Sequence, residues 1–247
     1  MGPDVSGFAV PTRVAETFFS IQGEGATAGA PAVFIRLQGC SVGCAWCDTR
    51  YSWDPHGGHA VDLDVVVAEA VAYPCRRAVD LEALMAQARA YPCRRVVITG
   101  GEPLESSLFC PLVSALQDEQ FEIEVETSGT VEPPVRSGRE IQWNVSVKLA
   151  ASGVDEGRRI NPAAIRRFLE YHAWWKFVVA GEEDLAEALR LAERFALPRE
   201  RILLQPEALR RDELIERSPW VIEACKRHGY RFSPRLHIMT WGARRGV

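Results

Sequence analysis

The sequence predicts an α/β fold, a partial (β/α)6 barrel built by one domain over residues 1–247. Three observations predict it. Short apolar runs alternate with helical patterns along the chain, as a parallel sheet with helical crossovers requires. Six such runs can be read, too few to close an eight-stranded barrel. The segments of unusual composition fall just past those runs, where parallel α/β folds gather their chemistry.

Taken in order, residues 32–37 form the first apolar run and lead into a cysteine-rich loop. Residues 95–98 (Arg-Val-Val-Ile) form the second and run into Thr99-Gly100-Gly101-Glu102. Residues 121–125 precede Glu126-Thr127-Ser128-Gly129, and residues 141–145 precede Ser146-Val147-Lys148. Residues 174–179 are the fifth run, and residues 202–204 the sixth, ending at Gln205-Pro206. Between them, residues 104–119, 162–171, 184–195 and 211–228 carry apolar side chains at helical spacing. Asn161 is a good N-cap, and Pro162 suits a first helical turn. The hexapeptide Ala-Tyr-Pro-Cys-Arg-Arg occurs at 72–77 and again at 90–95, each time after an Ala-rich helical stretch. It reads as a local duplication in the first crossover, too short to imply a repeat architecture.

Composition excludes several classes. At 47% hydrophobic and 25% charged, the chain is an ordinary globular protein. A net charge of −4 argues against a broad nucleic-acid-binding surface. No run of 18 apolar residues predicts a membrane span. Residues 1–10 lack a basic segment followed by an apolar stretch, so no signal peptide is expected and the location is expected to be cytoplasmic. Seven cysteines is an odd number in a chain of this size, and three crowd into one loop, which suggests ligation rather than a disulfide framework.

That loop is Cys40-Ser-Val-Gly-Cys44-Ala-Trp46-Cys47, a C-x3-C-x2-C pattern. Soft thiolates suit iron in Fe–S clusters, and three of them can hold three corners of a cubane while a fourth iron stays open. The competing reading is structural zinc. That site wants four protein ligands, and the spacing of His56 and His59 is not a common zinc pattern. Cys75, Cys93, Cys110 and Cys225 read as buried, inert thiols.

The cysteine loop resembles the radical S-adenosylmethionine (SAM) superfamily. Gln22-Gly23-Glu24-Gly25 upstream and Cys47-Asp48-Thr49 narrow the resemblance to the 7-carboxy-7-deazaguanine synthase family, which also matches Thr99-Gly-Gly-Glu-Pro103, Glu126-Thr-Ser-Gly129, Ser146-Val-Lys148, Leu204-Gln-Pro206 and the ending Trp241-Gly-Ala-Arg-Arg-Gly-Val247. The resemblance implies conversion of 6-carboxy-5,6,7,8-tetrahydropterin to 7-carboxy-7-deazaguanine with loss of ammonia. The cofactors it implies are a [4Fe-4S] cluster, SAM used catalytically, and Mg2+. It also implies a homodimer and a flavodoxin-like or ferredoxin-like electron donor. Within the superfamily, an activase of glycyl-radical enzymes would share the cysteine loop but not the Gln-Gly-Glu-Gly segment. A zinc-stabilised binding module is the alternative without catalysis.

The resemblance also implies roles. Cys40, Cys44 and Cys47 hold the cluster. Trp46, Asp48, Gly101, Glu102, Ser146, Lys148, Gln205 and Pro206 fall to SAM. The family often has proline where Val147 stands, but Ser146 and Lys148 still share one face of an extended segment. Trp46 fits core packing equally well. Thr49 falls to Mg2+, a hard cation served by hydroxyl oxygen; as a bare residue it reads as a turn threonine. Ile21, Gln22, Gly23, Glu24, Arg36, Thr99, His237 and Val247 fall to the pterin. Arg36 ends an apolar run, where a guanidinium needs a partner, either a substrate carboxylate or a salt bridge.

Overall fold

The computed structural model describes residues 12–61, 81–134, 141–242 and 244–247. The first copy of the repeated hexapeptide, with Cys75, lies outside the described residues, as do residues 1–10.

Among the described residues, nine strands form one sheet. They are β1 (Thr12–Ile21), β2 (Pro31–Leu37), β3 (His59–Val61), β4 (Arg95–Gly100), β5 (Glu122–Thr127), β6 (Ile141–Ser146), β7 (Trp174–Val179), β8 (Ile202–Pro206) and β9 (Arg231–Phe232). The spatial order is β3-β1-β2-β4-β5-β6-β7-β8-β9. From β2 to β9 every pairing is parallel, whereas β1 lies antiparallel between β2 and β3. The sheet is open, and its six central parallel strands are those read from the sequence: a partial barrel.

The helices are α1 (Leu81–Arg89), α2 (Phe109–Asp118), α3 (Glu156–Arg159), α4 (Pro162–Glu170), α5 (Glu182–Arg194), α6 (Arg211–His228) and α7 (Leu236–Trp241). Asn161 caps α4 by accepting from the amides of Ala163 and Ala164 (3.0 and 3.2 Å). Gly229, in the left-handed region at φ 71°, ends α6. The helix expected over 104–119 is shorter. Glu102 accepts from the Leu104 amide to cap a 3-10 turn over Pro103–Glu105, and extended Ser106 separates that turn from α2. Among the described residues, no helix is long and apolar enough to cross a membrane.

Alternation along each strand gives the sheet two unlike faces. The outer face carries Val33, Ile35, Val96, Ile98, Ile123, Val125, Trp143, Val145, Trp175, Phe177 and Leu204, all buried in one core with the helices. Full burial of each large apolar side chain contributes about 1.5–3 kcal/mol, so this face carries most of the stability. The inner face is polar: Arg36, Thr99, Glu124, Glu126, Asn144, Ser146, Lys176 and Gln205 point inward from neighbouring strands. Polar groups at these depths demand partners, and the inner face is wired accordingly.

Three cysteines test the expectation of buried thiols. Cys225 is buried, and burial pushes its thiol up to about 11. Cys93 is half-buried and donates to the Pro31 carbonyl (3.1 Å). Cys110 is exposed on α2, contrary to expectation, because the helix turns its apolar face, Phe109, Leu112, Val113 and Leu116, toward the core instead.

Candidate active site

One cavity of about 240 Å3 opens at the C-terminal ends of the parallel strands. The loop after β2 brings Cys40, Cys44, Trp46, Cys47, Asp48 and Thr49 to its wall. The end of β1 and its following turn bring Ile21, Gln22, Gly23 and Glu24; Arg36 reaches it from β2, and Thr99 and Gly101 from β4. Ser146 and Lys148 come from the end of β6, Gln205 from β8, His237 from α7, and Val247 from the last described segment. Two expected residues lie behind the wall. Pro206 is buried in its β7 pairing. Glu102, 1% exposed, faces β5, accepting from the Thr127 hydroxyl (2.7 Å), the Ser128 amide (2.7 Å) and the Ser128 hydroxyl. Burial pushes its carboxyl up, against the pull of those bonds. Its carboxylate therefore joins two strand ends, β4 and β5, rather than facing the cavity.

The cysteine loop is held from outside itself. The Gly39 amide donates to Ser52 O (2.8 Å), Cys40 N to Trp53 O (3.2 Å), Ala45 N to Ser152 O (2.9 Å) and Glu102 N to Gly39 O (2.8 Å). Glu105 accepts from the Ser41 amide (3.0 Å). At Gly101 a β-carbon would come within 2.1 Å of Gly39 O and 2.6 Å of Cys40 Cβ, so only glycine lets the strand end pass beneath the loop. All three thiols are free. Burial pushes Cys40 and Cys44 up, with the Lys148 ammonium opposing at Cys44. Lys148 also donates to Ser146 Oγ (3.0 Å) and lies 5.5 Å from the centre of the Trp46 ring.

The cavity also has a charged floor, tied to the cysteine loop through Asp48. Glu24 bonds Lys176 through one oxygen and Arg235 Nε through the other (2.9 Å), with His237 Nε2 at 3.7 Å. Arg235 also bonds Asp48. Burial pushes Glu24 up, but Lys176 and Arg235 outweigh it and hold its carboxyl well below the usual range. Burial pushes His237 down, and Arg235 adds to this. The imidazole is therefore neutral at pH 7, with one nitrogen free to accept. Glu24, Asp48 and His237 bring ligand atoms within 4.8 Å of one another. Two cations already neutralise those carboxylates, so the trio is an ion-pair cluster rather than a cation site.

The third wall is anion-ready. Arg36 Nε bonds Glu16 Oε1 (2.8 Å), which also accepts from Tyr51 OH (2.5 Å). The terminal nitrogens of Arg36 carry no hydrogen bond to a described residue. Burial and the Glu16 carboxylate push the Tyr51 phenol up to about 12. Arg245 lies 3.5 Å over the Tyr51 ring. Thr99 OH donates to Glu126 (2.9 Å), and Gln22 Nε2 donates to Glu124 (2.9 Å) and Glu126 (3.1 Å).

Known proteins match this architecture. Residues 34–137 match the model of the radical SAM superfamily. The chain is 37% identical over 241 residues to the 7-carboxy-7-deazaguanine synthase of Pyrobaculum aerophilum, covering 95% of this chain and 96% of that one. The chain belongs to the 7-carboxy-7-deazaguanine synthase family of radical SAM proteins. The Escherichia coli K12 relative is 35% identical over 225 residues, with 90% and 95% covered. The crystal structure of QueE from Escherichia coli superposes with a TM-score of 0.67 at 34% identity, covering 90% and 92%.

Membership implies a [4Fe-4S] cluster and SAM, and the donor set fits the cluster. The three thiols share one loop, face one cavity and are free. Exposed His56 does not line the cavity. A set of three, with no fourth donor facing the cavity among the described residues, suits a cluster with an open iron better than a closed zinc site.

Glu16, Tyr51, Trp53, Lys176 and Arg235 line the cavity but escaped the sequence reading, whereas Glu126 and Arg245 lie in matched segments that gave them no role. Lys176 carried a usable signal, a lone cation inside the apolar run Trp174–Val179. Glu16 sits on β1, whose period is broken by a bulge between Val14 and Glu16. Arg235 has no local signal, since its partners are 187 and 211 residues away.

Proposed function

We propose that the protein converts 6-carboxy-5,6,7,8-tetrahydropterin to 7-carboxy-7-deazaguanine and ammonia, a step toward deazapurines including queuosine. The observation that carries the reading is the meeting, in one cavity, of the three-cysteine loop with a polar inner face that ends in an incompletely paired guanidinium. Cys40, Cys44 and Cys47 would hold the cluster, which together with SAM would supply radical hydrogen abstraction at C6 of the pterin.

The chain's own groups bind and orient. Arg36 receives the substrate carboxylate through its terminal nitrogens, a geometry that a guanidinium fork matches bidentately. Gln22 and Thr99, anchored by the Glu124–Glu126 pair, present amide and hydroxyl groups to the pterin edge. Ile21 and Gly23 shape the same edge, and Val247 closes it. Gly23 leaves no room for a side chain, because a β-carbon there would meet His237 Nδ1 at 2.4 Å. His237, neutral and half-buried, can accept a proton or a hydrogen bond from the substrate.

Trp46, Asp48, Gly101, Ser146, Lys148 and Gln205 border the space left for SAM, and Glu102 and Pro206 support it from behind. Thr49 offers a hydroxyl for Mg2+ beside the cluster loop. A reduced flavodoxin-like or ferredoxin-like protein supplies the electron, and the active form is a homodimer.

The test is anaerobic turnover of reconstituted protein with reductant, SAM, Mg2+ and the pterin, followed by mass spectrometry. Formation of 7-carboxy-7-deazaguanine without proportional loss of SAM is the expected result. Reductive SAM cleavage without that product would refute the substrate assignment.

A further inference from the structure

The three cluster cysteines have unlike neighbours. Backbone amides of Val42 and Gly43 point at the Cys40 sulfur, and the Lys148 ammonium faces Cys44. Among the described residues, only Cys47 of the three receives a side-chain N–H hydrogen bond: the Trp53 indole donates to its Sγ at 3.3 Å, with the Thr49 hydroxyl at 3.5 Å. Trp53 is half-buried on the cavity wall. The Arg50 guanidinium lies 5.6 Å from the centre of its ring, and a cation against the π-face draws electron density from the indole and sharpens the N–H as a donor.

We propose that Trp53 is a positioning residue for the cluster, and that its indole N–H, bonded to the Cys47 sulfur, raises the potential at which the cluster accepts an electron. The proposal rests on the cluster reading of the site. Hydrogen bonds to cluster sulfurs are among the levers that set these potentials, and groups behind the ligands commonly tune the metal. Reduction adds one negative charge to the cluster and its thiolates. An N–H dipole aimed at a ligand sulfur stabilises that added charge more than it stabilises the oxidised form, so the bond favours the reduced state.

Two backbone contacts separate this role from mere scaffolding. Ser52 O accepts from Gly39 N (2.8 Å) and Trp53 O accepts from Cys40 N (3.2 Å) whatever side chain stands at 53. The loop frame therefore survives loss of the indole, while the sulfur loses its donor.

The experiment compares reconstituted wild type, Trp53→Phe and Trp53→His. Iron and sulfide per chain are measured first, then the midpoint potential by anaerobic redox titration followed by electron paramagnetic resonance. Trp53→Phe is expected to hold a full cluster with a more negative potential. A tenfold shift in the reduction equilibrium corresponds to about 59 mV for a one-electron couple. Trp53→His keeps a ring N–H and is expected to fall between the two. Equal potentials in wild type and Trp53→Phe, both loaded, would overturn the proposal. So would loading of wild type alone, since Trp53 would then be needed only for assembly. A wild type that takes up no cluster would overturn the site reading itself, an outcome visible before any variant is titrated.

Discussion

Glu24→Gln removes one negative charge from the cavity floor and leaves two cations behind. In the wild type, the Glu24, Lys176 and Arg235 side chains are 12%, 10% and 8% exposed, so solvent screens their attraction weakly. Arg235 keeps Asp48 and the Ala208 carbonyl after the change, but Lys176 loses its ion-pair partner. Stranding one member of a buried pair costs about 3–5 kcal/mol. The low end, about 3 kcal/mol, applies here because Glu126 still faces Lys176. For a chain of this size that lowers Tm by about 6–12 °C, at roughly 2–4 °C per kcal/mol. The assay is urea denaturation at matched cluster content, repeated from pH 3 to 8. Glu24 has a folded pKa held far below its unfolded value. Its contribution is therefore complete above the unfolded value, about 4.3, and fades as pH falls further toward the folded value. Wild type and variant should differ by a constant amount above about pH 5 and converge in acid. The double variant Glu24→Gln/Lys176→Met should recover most of the loss, because removing a buried pair together is close to neutral. A loss under about 1 kcal/mol, or a double variant no more stable than the single, would refute the reasoning.

Other outcomes follow from the same geometry. Gly101→Ala, which drives a methyl into Gly39 O and Cys40 Cβ, should lower iron bound per chain while leaving far-UV circular dichroism unchanged. Arg36→Ala should raise KM for the pterin at least tenfold, about 1.4 kcal/mol, with SAM affinity unchanged by calorimetry; an unchanged KM would remove Arg36 from the substrate contacts. Thr49→Ala should flatten the Mg2+ dependence of turnover, read by titrating the cation against rate.

Strand order and cavity were unequally legible in the sequence. The central strands were readable because both faces of β2, β4, β7 and β8 are buried, which makes them short near-continuous apolar runs. β1 was not, because one bulge and the polar residues Glu16 and Thr17 erase its period. Most of the expected site residues reach one cavity, since many lie at or just past the ends of parallel strands, which deliver them to one rim. What stayed hidden is partnership. Nothing near residue 24 announces Lys176 or Arg235, because those pairs exist only once the sheet has curled. The same holds for Glu102, whose motif suggested a cavity contact but whose carboxylate turns to Thr127 and Ser128.

The grip on the cysteine loop ties the three thiols to distant parts of the chain. Glu105, Ser152 and Arg158 hold Ser41 and Ala45 from 64 to 117 residues downstream. Small zinc domains work the other way round: metal arrives first and the chain folds about it. Here the backbone of the cysteine loop is held by residues that follow β4 and β6, so its shape belongs to the folded sheet. A change at residue 105, 152 or 158 therefore reaches the thiol loop although it lies far from it in sequence.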